Sequence, residues 1–202
     1  MNYLAHAYLS FHHPDVLVGN MISDFVKGKK KFDYPGGIRA GIALHRAIDT
    51  FTDAHPVTRE AKEIFRPHYR LYSGAFIDVV YDHFLAVDEN EFSESSLFEF
   101  SQEVYSTLDK QSVWLPGHFG DMFPYMKKHN WLFNYRTRPG TAKSLGGVVR
   151  RSAYLTESDT AFQLFEEHYQ PLQEYYRQFW ADVKPFARAT FEQLTDPGHR
   201  GT

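Results

Sequence analysis

The sequence predicts an all-α protein, a compact multi-helix bundle formed by one domain. Three observations indicate this fold class. Apolar residues recur at helical spacing along nearly the whole chain, no pair of alternating polar and apolar runs predicts a β-hairpin, and glycines and prolines fall between the helical segments. The chain has 202 residues, of which 43% are hydrophobic and 17% aromatic, and this is enough to bury one substantial core.

Glycine and proline interrupt helices, so they mark the helix boundaries. The breaks are at Pro14, Gly28, the turn at 34–37, Pro56, Gly74, Pro116 with Gly117, and Pro139 with Gly140. The helices predicted between them cover about 2–12, 15–27, 37–53, 57–71, 74–87, 93–109, 118–135, 140–153 and 158–193. Proline lacks an amide donor, so we expect a kink or a division of the helix at Pro67, Pro124, Pro171 and Pro185. The predicted domain covers 1–195, and a polar tail covers 196–202.

Composition excludes several classes of site and partner. Cysteine is absent, which excludes disulfides, thiolate catalysis and cysteine-based zinc sites. Any metal must therefore be held by nitrogen and oxygen ligands. The first residues lack the features of a signal peptide and no apolar run reaches the length of a membrane span, so we expect a cytoplasmic protein without a membrane partner. The net charge of −3 argues against a nucleic-acid partner.

Histidines and carboxylates are concentrated in apolar, helical segments of the first 85 residues. They are His6, Asp24, His45, Asp49, Asp53, Asp78, Asp82 and His83. Charged groups in such segments are costly to bury unless they are paired or bind a metal. The four-residue spacing of His45, Asp49 and Asp53 places all three on one helix face.

Asp78 and Asp82 have the same spacing on the predicted helix 74–87, whereas His83 points about 100° away from Asp82 around that helix. Helices of a bundle often direct histidines and carboxylates at a shared centre. The pattern therefore predicts a centre for Mn²⁺, Fe²⁺ or Zn²⁺, formed by His6, Asp24, His45, Asp49 and Asp82. The alternative is a structural network in which each aspartate is only the partner of a histidine.

Four motifs resemble the acyl carrier protein phosphodiesterases. They are Asn-x-Leu-Ala-His at 2–6, Gly-Asn-x-x-x-Asp-Phe at 19–25, Gly-Ile-x-x-His-Arg-x-Ile-Asp-x-x-Thr-Asp at 41–53 and Asp-x-x-x-Asp-His-Phe-Leu at 78–85. A weaker similarity continues through 131–136 and the last helix. The resemblance implies an HD-domain-like fold and a hydrolase that removes 4′-phosphopantetheine from holo acyl carrier protein. The metal it implies is Mn²⁺, with Mg²⁺ or Fe²⁺ as alternatives.

The resemblance also implies roles for individual residues. The implied metal ligands are His6, Asp24, His45 and Asp82, and the implied catalytic residues are Arg46, Asp49, Asp78 and His83. Asp49 and Asp78 are alternatively ligands or groups that orient the ligands. Arg46 is expected to bind phosphoryl oxygens, because a guanidinium can do so in a fork; the alternative is a salt bridge to Asp49 or Asp53. The chain departs from the plain HD signature, since its adjacent pair is Asp82-His83 and not His-Asp, so the roles within this set are open to exchange.

Residues 122–156 include seven Lys or Arg residues and no Asp or Glu. Since acyl carrier proteins are typically acidic, Lys143, Arg150 and Arg151 on the predicted helix 140–153 are expected to steer the carrier; a solvated helix face is the alternative. Two other functions stay open: a metal phosphohydrolase acting on a nucleotide or another small phosphoester, and a non-enzymatic helical binding protein. The sequence indicates no oligomeric state.

Overall fold

A computed structural model describes residues 1–196, and all regular secondary structure in this range is helical. The α-helices are α1 (Tyr3–Tyr8), α2 (Pro14–Ile22), α3 (Gly36–Ala54), α4 (Pro56–Tyr69), α5 (Ser73–Ala86), α6 (Glu94–Lys110), α7 (Gly117–Lys128), α8 (Trp131–Asn134), α9 (Arg138–Arg151), α10 (Asp159–Glu167) and α11 (Tyr169–Thr195). Short 3₁₀ segments cover Ser23–Phe25, Gly28–Asp33, Arg70–Tyr72 and Ser112–Trp114. The predicted all-α class is confirmed, and the HD-domain-like arrangement stays a prediction. Apart from Asp196, the predicted tail lies outside the described residues.

Two predicted helices end early or divide where the backbone enters the left-handed region. The first helix ends at Tyr8 and not near residue 12, because Phe11 and His12 adopt φ angles of 51° and 59°, which a right-handed helix does not accommodate. The helix predicted at 118–135 is divided into α7 and α8 at Asn130, which has a φ of 45°. The helix predicted at 15–27 ends at Ile22 and continues as the 3₁₀ segment Ser23–Phe25.

The four prolines at which a kink or a division was predicted occupy two kinds of position in the helices. The helix predicted at 158–193 is divided at His168, and Pro171 lies in the first turn of α11, where a missing amide donor leaves no hydrogen bond unmade. The division expected at Pro171 therefore falls three residues earlier. The other three prolines lie inside helices that continue past them; they are Pro67 in α4, Pro124 in α7 and Pro185 in α11.

Buried apolar side chains from α1 through α11 form one cluster, and α5 lies at its centre. This helix contacts α1, α4, α9 and α11. Because it is covered on most sides, its sequence is apolar around nearly the whole circumference, and its buried carboxylate Asp82 is an exception. None of the helices in the described part of the chain combines the length and hydropathy that a membrane crossing requires.

Helices α2 and α3 cross at two glycines. A Cβ atom on Gly19 would lie 2.0 Å from the carbonyl oxygen of Ile38, and one on Gly41 would lie 2.2 Å from the carbonyl oxygen of Val16. Both contacts are with backbone, which cannot turn aside as a side chain can. Only glycine therefore allows the two backbones to come this close, and the close approach places Asn20 of α2 beside His45 of α3.

Gly41→Ala is expected to lower the free energy of unfolding by about 3 kcal/mol, because the new methyl group forces α2 and α3 apart in a packed region. Urea denaturation of parent and variant measures this. Gly117→Ala is the control, since a Cβ on Gly117 meets no atom within 4 Å, and it should be neutral or stabilising by less than about 1 kcal/mol. Equal stability of parent and Gly41→Ala would contradict the proposed role of the crossing.

Candidate metal centre

Two histidines and one aspartate meet at the base of a cleft. His6 comes from α1, and His45 and Asp49 come from α3 one helical turn apart. One ligand atom from each of the three lies within 4.8 Å of the other two. The Nε2 atom of His6 is 3.2 Å from Oδ1 of Asp49, and the Nε2 atom of His45 is 3.1 Å from Oδ2. The two imidazole rings are stacked, with centroids 3.9 Å apart. This arrangement directs both Nε2 atoms at a single carboxylate.

Asn20, which is fully buried, orients both imidazole rings. Its side-chain Nδ2 donates to the His6 carbonyl and to the Ser10 hydroxyl, so its Oδ1 faces His6 Nδ1 at 2.8 Å as an acceptor. Its backbone carbonyl lies 2.7 Å from His45 Nδ1. Because both partners of the rings are acceptors, Nδ1 carries the proton in each ring. The Nε2 atoms are the ones that remain to bind a ligand.

The surroundings of His6 Nε2 fit a cation. Besides Asp49 Oδ1, the carbonyl oxygen of Met1 lies 3.1 Å from this nitrogen. Burial and the charge of His45 lower the pKa of His6 to about 4, so near neutral pH the nitrogen presents a lone pair to two oxygen acceptors. Three acceptors facing one another repel, and the Met1 ammonium, 3.4 Å from Asp49 Oδ1, offsets part of this repulsion. A divalent cation bound by His6 Nε2 would offset the rest without protonating the buried ring.

His45 has the opposite charge preference. Its Nε2 lies 3.2 Å from Asp24 Oδ1 as well as close to Asp49. Burial lowers the pKa of His45, but hydrogen bonds and attraction from Asp24 and Asp49 outweigh burial and raise the pKa to about 9. The same contact lowers the pKa of Asp24. A metal ligated by this Nε2 would displace the proton.

The amino group of Met1 connects this cluster to Asp78. The ammonium nitrogen is 3.4 Å from Asp49 Oδ1 and 3.0 Å from Asp78 Oδ1. Burial lowers the pKa of the ammonium, but attraction by Asp78 and Asp49 outweighs it and raises the pKa to about 11. Burial also opposes ionisation of Asp49, yet this ammonium together with His45 and His6 holds the pKa of Asp49 well below its usual range. Asp78 therefore meets the cluster through the ammonium, and its predicted catalytic role stays a prediction.

Asp82 fixes the helix that carries His6. Its fully buried carboxylate accepts the backbone amides of Leu4 at 2.7 Å and Ala5 at 3.1 Å, in the first turn of α1. These amides have no acceptor within a helix, so the carboxylate satisfies them. Burial raises the pKa of Asp82 to about 7 although both amides oppose the rise. With both oxygens directed at α1, Asp82 positions His6; its role as a metal ligand stays a prediction.

His83 points into a different part of the core. Its Nδ1 donates to the Tyr135 carbonyl at 2.7 Å, and its Nε2 accepts from the Tyr169 hydroxyl at 3.0 Å. Thr141 of α9 lies 3.0 Å from the same Nδ1. These contacts join α5 to the chain before α9 and to α11. His83 therefore holds these elements together, and its catalytic role stays a prediction.

The cleft above the cluster has a volume of about 480 Å³ and is lined by residues from 23 to 53. Asp24, whose side chain is 71% exposed, and Arg46 form part of its wall. The guanidinium of Arg46 donates from Nη2 to the Val26 carbonyl at 2.8 Å and makes no other side-chain hydrogen bond or salt bridge with residues 1–196; its phosphate-binding role stays a prediction. The alternative salt bridge to Asp49 or Asp53 is not formed among the described residues; Asp53 pairs with Lys62 at 2.7 Å.

The predicted docking residues Lys143, Arg150 and Arg151 lie exposed on α9. Burial raises the pKa of Tyr3 to about 12, with an opposing effect of Arg151 and a further rise from Asp24. Both charges act on this one hydroxyl. The docking role of the three residues stays a prediction.

Sequence analysis assigned no role to Asn20, Gly19 or Gly41. A signal was present for Asn20, which is a single amide within the apolar segment of α2 from Val16 to Ile22. Such a residue needs partners when it is buried. No spacing rule identifies the partners, because they come from α1 and α3.

Comparison with known proteins gives one consistent match. The family model described as acyl carrier protein phosphodiesterase matches residues 1–183. Proteins named acyl carrier protein phosphodiesterase from Yersinia pestis and Escherichia coli O139:H28 are 34% and 33% identical to this chain, each over 89% of it and 94% of their own length. One from Photorhabdus laumondii is 31% identical over 89% of this chain and 91% of its own. No solved structure matches the chain.

The stability of the protein is expected to fall in acid partly because of His83. Burial lowers the pKa of His83 to about 4 despite the bond to Tyr135, whereas in the unfolded chain it is about 6.5. The unfolded state therefore takes up the proton first as pH falls. Between pH 7 and pH 5 the parent should lose about 2 kcal/mol more unfolding free energy than His83→Gln, measured by urea denaturation at both pH values. Equal losses would contradict this.

Asn20→Ala is expected to leave the Nδ1–H of His6 without its acceptor and to lower unfolding free energy by about 1–3 kcal/mol. It should also weaken Mn²⁺ binding by about 10- to 100-fold, because the His6 ring is no longer held in place. Denaturation and calorimetric titration with Mn²⁺ measure the two effects. Asn90→Ala, at an exposed site outside the cleft, is the control and should change neither. Unchanged Mn²⁺ affinity in a folded Asn20→Ala protein would contradict the orienting role.

Proposed function

Because this chain belongs to the acyl carrier protein phosphodiesterase family, we propose that it hydrolyses the phosphodiester between 4′-phosphopantetheine and a serine of holo acyl carrier protein. The products are apo acyl carrier protein and 4′-phosphopantetheine. The observation that carries this proposal is the family match over 1–183. Within these residues, His45 and Asp49 of the histidine and aspartate cluster line an open cleft. An enzyme of this class needs a site that binds a phosphate and directs water at it.

The second part of the proposal is a divalent cation, Mn²⁺ as the family resemblance implies, with Mg²⁺ or Fe²⁺ as alternatives. The residues that would hold it are His6 and His45 through Nε2 and Asp49 through its carboxylate, with Asp24 beside His45. Mixed imidazole and carboxylate ligands suit these metals. When bound, the cation activates water and offsets negative charge on a phosphoryl oxygen.

Charge in the cleft supports a cation. Asp24, Asp49 and Asp53 line the cleft together with Lys27 and Arg46, and the lowered pKa values of Asp24 and Asp49 keep both ionised at neutral pH. If the His45 proton leaves, as ligation of its Nε2 requires, the three carboxylates exceed the two remaining cations, and a phosphodiester anion entering the cleft would meet a carboxylate surplus. A divalent cation among the carboxylates reverses that local charge and makes the cleft attractive to phosphate.

The residues of the chain have separate tasks in this proposal. Arg46, held by its bond to the Val26 carbonyl, binds the nonbridging phosphoryl oxygens and fixes the phosphorus for in-line attack. Asp24 reaches into the cleft as an ionised carboxylate and orients the attacking water. Asn20 and Asp82 are positioning residues, since they hold His6 and His45 without facing the cleft. Lys143, Arg150 and Arg151 on α9 steer the carrier protein.

Metal-stripped protein is expected to convert holo acyl carrier protein to the apo form only after Mn²⁺ is added, as followed by the intact mass of the carrier. His45→Ala and Asp49→Asn should lower this turnover by more than about 100-fold. The reason is that loss of a group that only orients a metal ligand already lowers metal affinity or activity by about 10- to 100-fold. The control is Asp182→Asn, because Asp182 also contacts a histidine, His55, at 3.2 Å but does not line the cleft. It should retain parental turnover.

Other outcomes would change this proposal in defined ways. Full turnover in the presence of a chelator would overturn the metal and leave the phosphodiesterase. Metal-dependent hydrolysis of small phosphodiesters without conversion of any carrier protein would instead identify a small-molecule phosphohydrolase.

A further inference from the structure

We propose that the lysine-rich segment from Lys27 to Phe32, at the mouth of the cleft, is the surface on which the carrier protein docks through carboxylates next to its modified serine. This inference rests on the proposed function and deepens it. The segment is separate from the basic residues of α9, and sequence analysis assigned it no role.

The segment forms one wall of the cleft and continues outward from it. Lys27 and Gly28 line the cleft, and the 3₁₀ segment Gly28–Asp33 follows directly. Gly28 adopts a φ of +56°, and a Cβ there would meet no atom within 4 Å, so the chain turns at this residue in a conformation that favours glycine. The base of the segment is fixed, since the Val26 carbonyl accepts from Arg46, the neighbour of His45.

The lysines of the segment form no salt bridge with any of residues 1–196. Lys27, Lys29 and Lys30 are exposed. The lysines that form salt bridges in the described part of the chain are Lys62, Lys127 and Lys184, so none belongs to this segment. The segment itself contains no carboxylate, and Asp33 follows it directly. Unpaired cations concentrated at one site on a protein of net charge −3 are available to an anionic partner.

The basic region predicted from sequence is different in this respect. Three of its cations already have carboxylate partners, at distances between 2.6 and 2.8 Å; they are Lys127 with Asp109, Arg136 with Glu94, and Arg138 with Glu166. The other four cations of that region, Lys128, Lys143, Arg150 and Arg151, form no salt bridge within the described residues, but none of the seven lines the cleft, whereas Lys27 does.

The segment also offers an apolar contact. The side chain of Phe32 is 61% exposed, and the ammonium of Lys31 lies 5.1 Å from its ring centroid. An exposed aromatic ring among charged residues is typical of a protein–protein contact, with the ring at the centre and the charges at the rim.

The position of the scissile bond places the carrier protein at this mouth. The bond to be cleaved joins phosphorus to the oxygen of a carrier serine, so the surface of the carrier is only a side chain's length from the reacting phosphorus. When the phosphate is at the base of the cleft, the carrier must press against the cleft mouth, while the pantetheine arm leads elsewhere. Residues 27–32 are at that mouth and match a carboxylate-bearing surface in charge.

The test uses Lys29→Gln with Lys30→Gln, which leaves the cleft-lining Lys27 in place. The matched control is Lys110→Gln with Lys128→Gln, two exposed lysines at the ends of α6 and α7. Binding of apo acyl carrier protein is measured by fluorescence anisotropy at several salt concentrations, because the apo form cannot be hydrolysed. The first double variant should weaken binding about 5- to 10-fold at low salt and reduce the dependence of Kd on salt. The control should bind like the parent.

A second readout separates docking from chemistry. Hydrolysis of bis(p-nitrophenyl) phosphate with Mn²⁺ should be the same in the parent and in Lys29→Gln/Lys30→Gln, and Phe32→Ser should likewise weaken only carrier binding. Parental carrier binding by both of these variants, or no binding of the carrier by the parent, would overturn the docking surface. If the parent binds the carrier through these residues but never converts the holo form, the docking surface stands and the proposed function fails.

Discussion

The crossing of α2 and α3 at Gly19 and Gly41 is the contact on which the site depends. Because neither residue has a Cβ, the two backbones approach until the Asn20 carbonyl lies 2.7 Å from Nδ1 of His45. The side chain of the same asparagine holds His6 through Nδ1. One close approach therefore sets the tautomer of two histidines and directs both Nε2 atoms at Asp49. A larger residue at the crossing would move the two imidazole rings away from Asn20, which accepts from both, and would leave buried polar groups unpaired.

Charge in and around the site is arranged in two layers. Inside, Asp24 and Asp49 face the two histidines, Asp78 faces the Met1 ammonium, and Asp82 binds the first amides of α1. Each carboxylate thus has a donor, whereas the contacts of His6 Nε2 within the described residues are the Met1 carbonyl and Asp49, and the proposed cation would bind at this position. Outside, Lys27 lines the cleft and the other lysines of the segment 27–32 follow it in sequence, without a salt bridge in the described part of the chain. A negative interior with a positive rim suits a metal-assisted reaction on an anionic substrate that is attached to a larger anionic partner.

Much of the fold and part of the site could be predicted from the sequence. The all-α class and most helix limits follow from local periodicity and from glycine and proline, which act within a few residues. The pairing of His45 with Asp49 also follows, because four residues make one helical turn. The predictions near Phe11, Asn130 and His168 were less accurate, since a left-handed residue or a short break leaves little trace in periodicity.

The sequence by itself determined the helices, the face shared by His45 and Asp49, and the absence of sulfur ligands. Only the tertiary structure decided which of the other predicted groups join them. Asp82 and His83 are adjacent in the chain, yet one binds α1 and the other binds Tyr135 and Tyr169, because successive side chains on a helix face different neighbours. The orienting role of Asn20 also depends on tertiary structure. Its partners come from α1 and α3, and the approach of these helices is set by packing and not by sequence spacing.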